Sequence, residues 1–123
     1  GQNYVLIDGG MHHLVYFGQH MAMKQPILSV CGKESEPVTS EWNICGSLCS
    51  MNDIVAKQVL LPDVEIGDLI CFENTGAYCM TEGISLFLSR EIPAVYLKKA
   101  GEYTLLRKSF ETSALNMPNI ERK

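Results

Sequence analysis

Three short stretches of this sequence bring together residue types that can do chemistry. The first is Asp8-Gly9-Gly10-Met11-His12-His13, which directly follows the apolar run Tyr4-Val5-Leu6-Ile7. Two glycines at a strand end permit a tight turn and close approach of backbone to a ligand, with the Asp8 carboxylate beside it. The second is Cys45-Gly46-Ser47-Leu48-Cys49-Ser50-Met51-Asn52-Asp53, a run of small and polar residues that reads as a loop. A thiol such as Cys49, held near an acid and near backbone donors, can act as nucleophile or proton donor. No histidine partner is fixed by spacing, so a cysteine-protease arrangement has no support. The third is Thr75-Gly76-Ala77-Tyr78, where small residues ahead of a tyrosine let its hydroxyl reach an oxyanion or a phosphate. Each stretch also has a plainer reading: a turn with surface histidines, a structural thiol, and an aromatic covering the edge of a core. His12, His13 and His20 with Cys45 and Cys49 offer zinc-ligating atoms. They lack a C-x-x-C pair, and neighbouring histidines on a strand point to opposite faces, so no metal is expected.

The elements that must position these stretches are short, apolar and rich in β-branched residues. The runs are Tyr4–Ile7, Leu14–Phe17, Ile27–Cys31, Trp42–Ile44, Val55–Leu61, Leu69–Phe72, Ile84–Leu88, Ala94–Lys98 and Tyr103–Arg107. Turn residues separate them, among them Gly32 to Pro37, Pro62-Asp63, Gly67-Asp68 and Ala100-Gly101-Glu102. Runs spaced near ten residues apart predict an all-β fold, an antiparallel β-barrel or sandwich. The two runs flanking Ala100-Gly101-Glu102 read as a hairpin. Helical periodicity is weak, which leaves one or two short helices at most, near Asn52–Lys57 and from Phe110 to Leu115. The polar end from Asn119 to Lys123 is expected to fray.

A chain of 123 residues and 13.7 kDa fits one domain and can bury a real core. With 46% hydrophobic and 20% charged residues it is neither disordered nor a coiled coil. The net charge of −4 and the lack of basic clusters argue against nucleic-acid binding, since nothing neutralises phosphates. No apolar run approaches the length of a membrane span. Five cysteines, an odd number without dense spacing and without a leader-like opening, predict reduced thiols in the cytoplasm. Cys71, within Leu69-Ile70-Cys71-Phe72, reads as a buried small hydrophobe.

The order and separation of these motifs resemble the C-terminal β domain of the pyridoxal-phosphate-dependent decarboxylases of alanine-racemase-like fold, which include diaminopimelate, ornithine and arginine decarboxylases. The resemblance runs from Tyr4 to about Lys98. Tyr4 to Met11 is similar to that family's strand ending in Asp-[Ala/Gly]-Gly-Met, and Cys45 to Asp53 resembles its Gly-Pro-x-Cys-[Glu/Asp]-x-x-Asp loop. Gly67-Asp68-Leu69 resembles the Gly-Asp-Leu strand entry, and Gly76-Ala77-Tyr78 matches the Gly-Ala-Tyr signature. Phe87 and Pro93 fall near the later aromatic and proline.

The resemblance implies a fold, a cofactor and partners. Pyridoxal phosphate would bind in the full-length enzyme, on an N-terminal (β/α)8 barrel that this chain does not contain. The chain alone is accordingly expected to fold without binding the cofactor and without decarboxylating anything. Cys49 would supply the proton after loss of carbon dioxide, reaching a neighbouring subunit in a head-to-tail homodimer. Tyr78 would hydrogen-bond the cofactor phosphate. Asp8, Ser50 and Asp53 fall at the substrate-facing positions, with Asp53 also shaping the cysteine loop.

Three departures bear on the amino-acid substrate. Ser50 stands where diamine-recognising relatives carry an acid, Tyr16-Phe17 where diaminopimelate enzymes carry Arg-Pro, and Cys45-Gly46-Ser47-Leu48 replaces the usual Gly-Pro. Two further readings are a non-catalytic β module that kept the scaffold, and a decarboxylase of an unusual or carrier-tethered amino acid, which His12-His13 loosely resembles. A racemase-like enzyme would not need a cysteine loop.

Overall fold

The computed structural model describes residues 1–16 and 24–118. They group into two compact units, Gly1–Gly83 and the segment from Ile84 onward. In the first unit the apolar runs become β1 (Asn3–Leu6), β2 (Ile27–Val30), β3 (Ser40–Cys45), β4 (Ile54–Leu61) and β5 (Ile70–Glu73). β1, β3 and β4 form one sheet in that order, and β2 pairs with β5 in a second. β3–β4 and β2–β5 are antiparallel, as expected from the short runs and their turns, while β1 lies parallel to β3 with Tyr4 opposite Asn43. Neither sheet closes on itself among the described residues.

β3 and β4 slip register around Trp42–Ile44, and Gln58 takes a left-handed φ of 52° there. The buried Asn43 bonds one backbone group at this bulge and one on β1. Its Oδ1 accepts the Gln58 N–H at 3.3 Å, and its Nδ2 donates to the Asn3 carbonyl at 3.1 Å. Val30, Ile44, Ala56, Val59 and Leu61 form the buried core, with Val5, Ile7, Trp42 and Phe72 among the residues packed against it. Lys33, in the turn after β2, donates to Asp68 at 2.8 Å and to the Asp63 carbonyl at 3.0 Å. Asp68 also accepts the Glu65 N–H at 2.8 Å, so the Gly-Asp-Leu motif works here as a turn cap tied to a lysine.

In the second unit β6 (Val95–Lys99) and β7 (Glu102–Arg107) form the expected hairpin. Ala100 and Gly101 sit at φ 51° and 85°, the left-handed pair that a two-residue hairpin turn requires. A single-turn helix α1 (Ser113–Asn116) overlaps the expected helical stretch and runs one residue past its end.

Several expectations are corrected. Ile84–Leu88 is not a strand: Phe87 N–H donates to Ile84 at 3.0 Å, Leu88 turns left-handed at φ 60°, and Asn116 donates to the Leu86 carbonyl at 2.8 Å. Local and side-chain partners take the hydrogen bonds that a neighbouring strand would supply. Residues 14–16 likewise form no strand, because the amides of His13 and Leu14 both donate to the Gly10 carbonyl and wind the chain into a turn. Phe17 lies outside the described residues, as do His20 and residues 119–123. The stretch Asn52–Lys57 enters β4 rather than a helix. Cys71 is exposed, since a two-stranded β2–β5 sheet covers only one of its faces.

Candidate functional site

Strand directions bring the first two chemical stretches together. β1 runs parallel to β3, and β4 returns antiparallel, so the C-terminal ends of β1 and β3 and the start of β4 share one end of the sheet. The Asp8–His13 turn leaves β1 there, and the Cys45–Asp53 loop connects β3 to β4 at the same end. The two are laced by backbone. Ile7 N–H donates to Cys45 at 2.9 Å, Ser47 N–H to Gly9 at 2.8 Å, and the Ser47 hydroxyl to the Asp8 carbonyl at 2.9 Å.

Asp53 sits at the centre of this lacing and is 2% exposed. Its Oδ1 accepts the Met11 N–H at 2.7 Å and its Oδ2 accepts the Leu48 N–H at 2.8 Å. Its own carbonyl accepts the Gly46 N–H at 2.8 Å. A carboxylate can be buried at this depth because charge-assisted bonds to two backbone donors replace its water. Space is the reason for two of the glycines. A Cβ at Gly10 would lie 2.6 Å from Oδ2 of Asp53, and a Cβ at Gly46 would collide with the same carboxylate. Sequence alone suggested turn flexibility for this region; the seat for a side chain more than 40 positions from Gly10 was not readable from it.

The loop presents its thiol outward. Leu48 is buried and anchors the loop, while Cys49 beside it is exposed. Ser50 accepts the Asn52 N–H on its hydroxyl oxygen at 3.2 Å and remains half-buried. Asp8 is exposed at the mouth of the turn. Cys45 is the loop's second thiol. Burial, and then the Asp53 charge, push it up from the usual thiol range, which keeps it protonated. A cavity of about 220 Å³ lies between the two segments, bordered by Met11, Tyr16, Met51 and Asn52.

The third stretch joins the same end. After β5, Ala77–Met80 make one 3₁₀ turn that carries Tyr78, 70% exposed. Val15 N–H donates to the Cys79 carbonyl at 2.9 Å, and a Cβ at Gly83 would lie 2.6 Å from the Met11 carbonyl oxygen. Gly83 therefore marks a close crossing of two backbones, a role the sequence did not signal. The structure thus gathers Asp8, Cys49, Ser50, Asp53 and Tyr78 onto three interlocked loops. His12 and His13 are in a turn, with ring centroids 3.8 Å apart rather than on opposite faces. Among the described residues no cluster of three or more His, Cys, Asp or Glu could hold a metal ion. No helix among them is long and apolar enough to cross a membrane.

These loops can donate hydrogen bonds to an anionic group, through an outward tyrosine hydroxyl and an outward thiol. They carry no lysine or arginine between residues 8–16, 46–53 or 76–83 to neutralise its charge.

Comparison with known proteins identifies a family. Residues 1–76 match the family model described as pyridoxal-dependent decarboxylase, C-terminal sheet domain. An L-glutamyl–BtrI acyl-carrier-protein decarboxylase of Niallia circulans is 34% identical over 117 residues, 88% of this chain and 26% of the relative. A diaminopimelate decarboxylase of Deinococcus radiodurans is 29% identical over 113 residues, 88% of this chain and 27% of the relative. The crystal structure of a diaminopimelate decarboxylase from M. jannaschii, in co-complex with L-lysine, superposes with a TM-score of 0.73 at 25% identity. That match covers 95% of this chain and 26% of the other. The chain spans about a quarter of the length of the curated relatives it matches.

Proposed function

This chain belongs to the pyridoxal-dependent decarboxylases, as a C-terminal sheet domain, and from that premise we propose that it completes the active site of a cytoplasmic amino-acid decarboxylase whose N-terminal barrel holds the cofactor. The observation that carries the reading is the meeting of three loops at one sheet end, with Cys49 exposed over a rigidly bonded floor.

Pyridoxal phosphate, when bound to the barrel, supplies the electron sink that permits loss of carbon dioxide. The work of this chain is to finish the reaction. The Cys49 thiol, exposed at the tip of its loop, would deliver a proton to the carbon that lost carbon dioxide. The Tyr78 hydroxyl would hold the cofactor by donating to its phosphate. Asp8 and Ser50 face the distal end of the substrate, and Asp53 holds the floor beneath them. The exposed thiol and tyrosine are free to meet a barrel, and the resemblance to the family supports a barrel of the neighbouring subunit in a head-to-tail homodimer.

Two relatives suggest different substrates. One is named for diaminopimelate and the other for a glutamyl group on an acyl-carrier protein. The neutral Ser50 favours a substrate whose far end carries no free ammonium, and a carrier-tethered amino acid fits that description.

The test is Cys49→Ala in the full-length enzyme. Turnover is expected to fall about a hundredfold or to yield misprotonated product, with cofactor absorbance retained. Unchanged turnover and unchanged product would overturn the proton-donor role.

A further inference from the structure

We propose that Asp53 is a positioning residue whose buried carboxylate sets the register of the Cys49 loop against the Asp8 turn. The inference rests on the reading that Cys49 and Asp8 serve one site, and it adds a side-chain link to the backbone bonds that already join the two loops.

The geometry is specific. One carboxylate oxygen holds Met11, three residues past Asp8, and the other holds Leu48, next to Cys49. A single rigid, planar group thus fixes the spacing between the two segments. At 2% exposure it has no surface to offer a substrate, so its influence on turnover must pass through the loop that carries Cys49. The glycines at 10 and 46 belong to the same device, because a Cβ at either would occupy the carboxylate's place. Gly46 closes the lock from below by donating its N–H to the Asp53 carbonyl at 2.8 Å. Water cannot substitute at that depth, so a side chain that presents an N–H to either amide leaves a donor facing a donor.

The experiment is a double-mutant cycle in the full-length holoenzyme, with Asp53→Asn and Cys49→Ala alone and together. Asparagine keeps the volume but can accept only on one side. Asp53→Asn is expected to lower kcat at least tenfold with KM and cofactor absorbance close to the parent. Added to Cys49→Ala it should cost no more than twofold further, because both act through one thiol. Gly46→Ala displaces the same carboxylate without touching its chemistry and should reproduce this non-additivity. Full additivity with Cys49→Ala, or an unchanged kcat in Asp53→Asn, overturns the positioning role. If neither variant accumulates as folded holoenzyme, Asp53 is a folding residue and the proposal falls. A Cys49→Ala enzyme with parental turnover instead removes the proton-donor reading itself, an outcome the cycle registers separately.

Discussion

Lys33 reaches across the first unit to Asp68, Nζ to Oδ2 at 2.8 Å, and joins the turn after β2 to the turn before β5. The hydrogen bond from Lys33 and then that from the Glu65 N–H hold the Asp68 carboxyl below the usual range. The bond to Asp68 raises Lys33, against a smaller opposing effect of burial. A lowered carboxylate contributes stability above its unfolded pKa, near pH 4, and loses that contribution as pH falls through its folded value. A raised lysine contributes below about pH 10.4 and loses it as pH rises through its folded value. Thermal melts should therefore show the parent above Asp68→Asn between about pH 4 and pH 10, with the gap closing in acid. Added salt should shrink the gap, because the pair is partly solvated. A gap of the same size at pH 3 and pH 7 would refute the assignment.

Much of this frame was legible from residue type alone. Ile27–Val30 and Ile54–Leu61 are β-branched or apolar runs bounded by turn residues, and such local signals fix strand existence well. The Ala100-Gly101 turn names its own conformation. Pairing was less legible. The parallel match of β1 with β3 joins residues about 40 positions apart, and nothing in either run reports its partner's direction. Ile84–Leu88 misled because an apolar run says nothing about whether a neighbour exists to receive its hydrogen bonds. Motif order marked the loops that carry Cys49, Asp53 and Tyr78, and the fold brings those loops to one end of the sheet. The inward direction of Asp53 was not, because it depends on Met11 and Leu48 amides that only the fold brings together.

The close crossing at Gly83 leads to a prediction about the cofactor end. A Cβ there would lie 2.6 Å from the Met11 carbonyl oxygen, which is backbone and cannot swing aside. Gly83→Ala should push the Tyr78 turn away from the Asp8 turn. A hydrogen bond to a charged group is worth about 1.5–3 kcal/mol, or roughly tenfold to a hundredfold in affinity. Titration of the full-length apoenzyme with pyridoxal phosphate, followed by absorbance, should show Tyr78→Phe weakened within that range and Gly83→Ala weakened by about tenfold. Parental affinity in Tyr78→Phe would remove the phosphate contact, and parental affinity in Gly83→Ala alone would show that the turn tolerates displacement.

The remaining prediction concerns the far end of the substrate. Ser50 uses its hydroxyl oxygen to accept the Asn52 N–H at 3.2 Å, so it serves the loop and brings no charge to the site. A desolvated ammonium needs a charged partner, and losing one costs roughly tenfold to a hundredfold in selectivity. Asp8, exposed on the adjoining turn, is the carboxylate we propose to receive a distal amine. The full-length enzyme should then prefer amino acids with neutral or thioester-linked tails over diaminopimelate, ornithine and lysine when kcat/KM is compared across that panel. Ser50→Glu should shift the ratio toward the diamines by about tenfold, and Asp8→Asn should erase whatever activity on them the parent has. A clear preference for diaminopimelate, untouched by Ser50→Glu, would place substrate recognition on the barrel and remove this loop from it.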